Sequence, residues 1–420
     1  MRSDYRIKRL LVFSMNWVRF GGRKRFVAAV FLFAMATTHA TMVLTVLPSL
    51  RTGYQDFTIF YTAGKMLRSG QASTLYDPEA QYRTEKEFAP DVRIRQAALP
   101  YIHTPFEALL FVPFTFLGYV PAFALWTALN VALIIVNLSL LRKHFPEIRA
   151  LSFILLMLAA AGFFPIAIGL VQGQDTILVL LSVVLSMVLL KDGRDSWAGA
   201  ALGLGLFKFH FIGPLALILA IRRPRLLAGF VPIALGLICL SISIVGLGGV
   251  FHYIHYVLNL ERTGAGGAIM ASDMPNLRGL IDTLAGLRTD TTWSIAIALV
   301  CSVAVFWATQ WRVKRGDESV LHQFALATVA AILISYHALP YDLVLLFPAV
   351  LVLLAKALSE SRRLSSSDTG LLLLFFLTPL YVLLWLRLNQ FAWFGLLLIW
   401  LLWRLGRPSP TNESTLRGAT

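Results

Sequence analysis

The chain has 420 residues, of which 57% are hydrophobic and only 14% charged, against about half and about a quarter in an ordinary globular protein. A water-soluble fold is excluded, because no soluble core hides that much apolar surface; the surplus faces lipid. Lys and Arg number 37 against 22 Asp and Glu, for a net charge of +15, but the charges sit in short connections between apolar runs, where they mark the cytoplasmic side and not a nucleic-acid surface.

From the N-terminus, a basic segment over 1–25 precedes the first apolar stretch, 26–48, which lacks a small-x-small cleavage site and reads as a retained signal anchor. Further basic clusters at 142–149, 191–194, 222–225, 312–315, 356–363 and 404–407 are placed in the cytoplasm. The connections between them, 49–104, 171–175, 208–210, 251–290, 337–342 and 386–390, fall outside. For the alternation to close, 105–141 crosses once, with 106–118 short or re-entrant around Pro113 and 119–141 the true span.

The chain therefore reads as an all-α polytopic membrane protein with about twelve transmembrane helices, near 26–48, 119–141, 150–170, 175–190, 196–208, 211–221, 226–250, 292–311, 319–336, 341–356, 369–385 and 391–403. One membrane domain covers 26–405, and the Ser-, Thr- and Pro-rich tail, 406–420, reads as disordered and cytoplasmic. Several spans are shorter than the roughly 20 residues a bilayer core requires, notably the pair flanking Lys208 and His210, which places their outer connection in a protein-lined cavity. Cys239 and Cys301 both lie within apolar runs, without disulfide or metal-ligand spacing.

The first outer segment has the mixed polarity of amphipathic helices at a membrane interface. Asp56 opens it, placed either to accept a proton from a substrate hydroxyl or simply to cap the helix that follows. Lys208 and His210, in GLGLFKFHFIGP, have no acidic neighbour in sequence. An ionisable pair at membrane depth faces a cavity or an interior partner, and an anionic phosphate would satisfy both; a snorkelling lysine is the alternative.

Gln172, Gln174 and Asp175 in VQGQD, and His337 and Tyr341 in SYHALPYD, bring hydrogen-bonding groups to outer helix ends, where sugar hydroxyls could be held. A polar turn would look similar, and His337 could instead be satisfied by a backbone carbonyl. The outer segment 251–290 carries aromatic and His residues, a Gly-rich stretch that could hinge it over an acceptor, and then Asn276 and Arg278. No Walker loop, dinucleotide fingerprint or zinc motif occurs.

The ordered set DFTIFYTAGKMLRSGQASTLYDP, YIHTPFEALLFVPFTFL with Trp126 and Asn130, VQGQD, FKFHFIGP, MPNLRGL and SYHALPYDLVLLFPA resembles glycosyltransferase family 87, polyprenyl-phosphate-mannose-dependent mannosyltransferases of GT-C type, over about residues 50–350. The resemblance implies a GT-C-type fold and a membrane enzyme with its site on the periplasmic or extracellular side; the positive-inside pattern and the lack of sorting signals point to a bacterial inner membrane. It implies a polyprenyl-phosphate sugar donor, a lipid or glycan acceptor, and membrane lipids but no nucleic acid as partners. It also implies Asp56 as the base of an inverting transfer and Lys208 on the leaving phosphate with His337 near it; His210, two residues from Lys208, joins them on the phosphate, and with no second carboxylate beside Asp56 in a DxD pattern neither metal nor cofactor is expected. Tyr61, Tyr101, His103, Gln172, Gln174, Asp175, Asn276, Arg278 and Tyr341 are the expected sugar or acceptor contacts. The motif departs from expectation at Gln174, where an Asn would be anticipated. A secondary transporter is the alternative from another class, although polar residues gathered on one side argue against its inverted repeats; polysaccharide polymerisation or transfer of a different sugar shares the same topology.

Overall fold

A computed structural model describes residues 20–46, 55–91, 99–263, 270–285, 291–315, 319–359 and 365–407, with isolated positions between them. The basic segment before residue 20, the glycines at 264–267 and the tail beyond 407 lie outside the described residues. Among the described residues every regular element is helical.

Five helices among the described residues are long and apolar enough to cross a bilayer: Gly22–Thr45, Tyr119–His144, Arg225–Leu260, Trp293–Arg315 and Pro340–Leu358. Three bent pairs raise the number to eight when each pair counts as one span. The expected twelve exceeds this for two reasons. Three of its spans are the shorter apolar helices Thr176–Lys191, Val320–Ile334 and Phe391–Gly406. Two more, 196–208 and 211–221, are the arms of one bent pair, Asp195–Gly203 and Leu206–Ala220, meeting at 70°. Arms of 9 and 12 helical residues rise about 13 and 18 Å, well short of the roughly 30 Å of hydrocarbon that a crossing requires.

Local chemistry explains where helices begin and end. Ser152, Ser319 and Ser365 accept from the backbone N–H three residues on, satisfying donors that a helix start leaves open. The last turns of Tyr119–His144 and Thr291–Arg315 are basic, which suits the negative end of the helix dipole. Pro105–Phe111, continued by a 3-10 turn over Val112–Phe116, is one short helix, as expected for 106–118.

Two stretches differ from their expected form. The Phe57–Arg68 helix is buried along most of its length, not laid on a surface, because its aromatic face packs against Phe111, Tyr119 and Phe123. The outer segment after residue 250 stays helical to Thr263. Gly246, with φ of 71°, breaks the long Arg225–Thr263 helix and redirects its last turns, a conformation that a side chain would resist.

Helix direction separates two ends of the bundle. Lys191 donates to the His144 carbonyl, Arg312 to Gly406 at 2.6 Å, and the His322 ring meets the Leu405 carbonyl at 2.9 Å, so basic helix ends gather together. The opposite ends of the same helices, beginning at Tyr119 and Thr176 and finishing at Ile334, lead to Asp175, Ser335 and the polar residues described next.

Candidate active site

The VQGQD turn is the centre of this end. Gly173 closes the Phe164–Gln172 helix in the left-handed region at φ 66°, a position where a Cβ would approach Phe57 Cβ to 2.7 Å and Phe123 to 2.9 Å. Its carbonyl accepts from Trp126 Nε1 at 2.8 Å. The reversal sends three side chains in different directions: Gln172 Oε1 accepts from the Asp56 backbone N–H at 3.2 Å, Gln174 reaches Asp56 and Lys208, and Asp175 starts the next helix.

Asp56 precedes the Phe57–Arg68 helix but its side chain makes no capping bond. Asp77 caps the next helix through Glu79 and Ala80 N–H, so the two aspartates of one segment have separate tasks. Asp56 Oδ2 instead accepts from Gln174 Nε2 at 2.6 Å, and Tyr341 lines the same cavity.

Lys208 lies at the break of the bent pair, between a 3-10 turn and the Phe209–Ala220 helix, and is 4% exposed. It does not snorkel. Its ammonium is 3.3 Å from Gln174 Oε1, 3.4 Å from Asp175 Oδ1 and 3.5 Å from Asp342 Oδ1, with the Tyr341 ring 5.4 Å away. Both aspartates are fully buried, and such charges persist in an interior only when paired. Asp342 also accepts from the Leu339 N–H at 2.8 Å, which fixes the SYHALPYD turn.

A cavity of about 110 Å³ opens beside these groups, and Asp56, His103, Gln174, Lys208, His210, His337 and Tyr341 all line it. The rings of His210 and His337 lie 6.1 Å apart. Among the described residues, neither nitrogen of His210, nor Nδ1 of His337, has a hydrogen-bond partner. His103 Nδ1 is 3.1 Å from the Glu107 carboxylate. Burial, then the positive charge of Lys208, pushes His103 down to about 4. Burial and the nearby Lys208 and Arg278 push His337 down to about 3. Both imidazoles are therefore neutral at physiological pH and present one N–H each.

The remaining expected contacts lie elsewhere. Tyr61 donates to the Leu117 carbonyl and Tyr101 to that of Thr104, both within an aromatic core. Gln172 holds backbone, and Asp175 holds Lys208. Asn276 is buried, bridging the Gly279 N–H and the Ser335 carbonyl, while Arg278 donates to the Tyr336 carbonyl at the edge of a neighbouring apolar groove.

Glu107 and Asp342 were not singled out from the sequence. Glu107 is 2% exposed in an apolar helix, and its spacing of four from His103 is the signal that could have found it. His103, Glu107 and Asp175 bring possible metal-ligand atoms within 4.8 Å of one another, a donor set that a search beside Asp56 alone does not anticipate. Asp342 sits in a quoted motif, and the buried lysine required such a partner.

Chemically, the cavity combines a carboxylate, an ammonium and three imidazoles on walls contributed largely by helix breaks. No curated protein and no solved structure matches the chain. The model of glycosyltransferase family 87 matches residues 101–340, more than half of the 420. The match includes His103, Gln174, Lys208 and His337 and begins beyond Asp56. It replaces the transporter alternative with an enzyme. With its apolar spans, its polar cavity at one end of the bundle and this match, the chain is a multi-pass membrane glycosyltransferase and belongs to glycosyltransferase family 87.

Proposed function

We propose that the enzyme transfers a hexose, mannose by the sequence resemblance, from a polyprenyl-phosphate donor to a lipid or glycan hydroxyl on the non-cytoplasmic face, with inversion. Asp56 takes the acceptor proton as the oxygen bonds to the anomeric carbon, and the bond from that carbon to the phosphate oxygen breaks. Polyprenyl phosphate leaves with the electron pair.

The observation that carries this reading is the link from Asp56 through Gln174 to Lys208 along one cavity. A base at one end and a cation at the other match a reaction in which a proton is lost on one side of the sugar and negative charge develops on the other. All three Lys208 contacts are 3.3–3.5 Å, longer than the 2.7–2.9 Å of a formed charge-assisted bond, so the ammonium can turn toward a phosphate. The unpartnered nitrogens of His210 and His337 supply further neutral donors. The non-cytoplasmic assignment is supported by the cavity lying opposite the gathered basic helix ends.

Reconstituted enzyme supplied with radiolabelled polyprenyl-phosphate mannose and membrane lipid extract should transfer label, and NMR of the product should give the anomeric configuration opposite to that of the donor. Transfer from a nucleotide sugar alone, or retention of configuration, would refute the reading.

A further inference from the structure

A second cavity, of about 670 Å³, lies at the basic end of the bundle, away from the active-site cavity. Val27 and Phe31 of the first helix, Leu354 of the Phe347–Leu358 helix and Leu373 of the Ser366–Phe376 helix give it apolar walls. Arg23 and Lys24 stand at its mouth. Both are exposed, and among the described residues neither forms an ion pair. Asp368, next to the lining Thr369, does not neutralise them, because Arg404 already holds its two oxygens at 2.5 and 2.7 Å.

The dimensions are those of one leaflet. From Arg23 to Leu32, which also lines the cavity, the helix rises about 14 Å, against roughly 15 Å for half of a bilayer's hydrocarbon core. An apolar slot of that depth, with two cations at its rim that no described acid pairs, has the charge and shape of a lipid site whose headgroup is anionic.

We propose that this cavity binds an anionic diacyl phospholipid, its phosphate held by Arg23 and Lys24 and its acyl chains lying against Phe31, Leu354 and Leu373. A zwitterionic headgroup adds a cation where two already stand and is disfavoured. The bound lipid fills the space between the first helix and its neighbours at the basic end of the bundle. At the other end the same helix is fixed by His39, whose ring nitrogens lie 2.7 Å from the Ala161 carbonyl and the Thr378 hydroxyl.

Full-length protein in mixed micelles, titrated with phosphatidylglycerol or phosphatidylcholine and followed by native mass spectrometry and thermal unfolding, tests the site. Phosphatidylglycerol should bind roughly tenfold or more tightly than phosphatidylcholine and raise the unfolding midpoint. R23Q/K24Q should lose that preference. L373W, which narrows the slot and keeps both cations, should weaken binding of either lipid. Equal binding of the two lipids by the wild type, a preference retained in R23Q/K24Q, or undiminished phosphatidylglycerol binding by L373W would each overturn the proposal.

Discussion

Gln174 donates its amide to Asp56 Oδ2 at 2.6 Å and offers its carbonyl oxygen to Lys208 at 3.3 Å, so one neutral side chain joins a carboxylate from the first outer segment to a cation from a broken helix. Asp56→Asn keeps the size of the group and removes its basicity. Transfer of labelled sugar should fall by about 10²–10⁴, the usual worth of a general base, with an unchanged unfolding midpoint. Near-wild-type transfer would show that another group takes the proton.

Removing the link itself, in Gln174→Ala, strips Asp56 of a hydrogen bond and Lys208 of one of its three oxygen neighbours. Loss of orientation at the base is expected to lower kcat about tenfold or more with a smaller change in KM. Steady-state kinetics with saturating donor distinguishes this from a binding defect.

Lys208→Met leaves Asp175 and Asp342 buried and uncompensated. A loss of about 3–5 kcal/mol is expected, seen as poor yield or a strongly lowered unfolding midpoint. Adding Asp175→Asn and Asp342→Asn should restore much of the stability. If Lys208 also serves the leaving phosphate, the triple variant stays inactive; recovered transfer would restrict the lysine to a structural part.

Stability should depend on His103 and His337. Their folded-state values, about 4 and about 3, lie below the ordinary 6.5, so the unfolded chain binds more protons over that interval and stability falls with acidity. It is complete above pH 6.5 and declines as pH drops from there toward 4, and further toward 3. At about 1.4 kcal/mol per pH unit, His103 alone accounts for up to roughly 3 kcal/mol. Glu107 and Asp175, raised by burial to about 8 and about 7, titrate in the opposite sense, so the His103 share is read as the difference in unfolding midpoint between wild type and His103→Gln, which should rise in favour of the wild type from pH 4 to 6.5.

Gly173→Ala places a methyl group against Phe57 and Phe123 at a left-handed residue. Overpacking and backbone strain together predict a loss of about 2–4 kcal/mol, with reduced transfer because Gln172, Gln174 and Asp175 all depend on this turn. Thermal unfolding beside activity measures both effects.

Much of this was legible in the sequence. The apolar runs identified a membrane protein, and Asp56, Lys208 and His337, drawn from segments far apart in the chain, line one cavity. Helix bending was not legible, because apolar residues continue through a break: the arms around Lys208 look like two spans until the 70° angle is seen. The pairing of acids with Lys208 was hidden for a related reason, although Asp175 itself was expected at the site as a sugar or acceptor contact. Asp175 and Asp342 approach it only through folding, and Glu107 lies in a run whose surroundings look uniformly apolar. Local spacing likewise left Asp56 open between a cap and a base, whereas its contact with Gln174 depends on the tertiary position of the VQGQD turn.

The double-ended grip of Gln174 also has a kinetic consequence. Its amide plane is a single rigid unit, so a donor phosphate that draws Lys208 toward itself loosens the carbonyl end and lets the nitrogen end swing with the carboxylate. On the proposed reaction, the base is then expected to respond to an acceptor only after the donor has arrived. Initial-rate patterns should accordingly be those of ordered addition, donor before acceptor, and a Gln174 variant should convert them to random order.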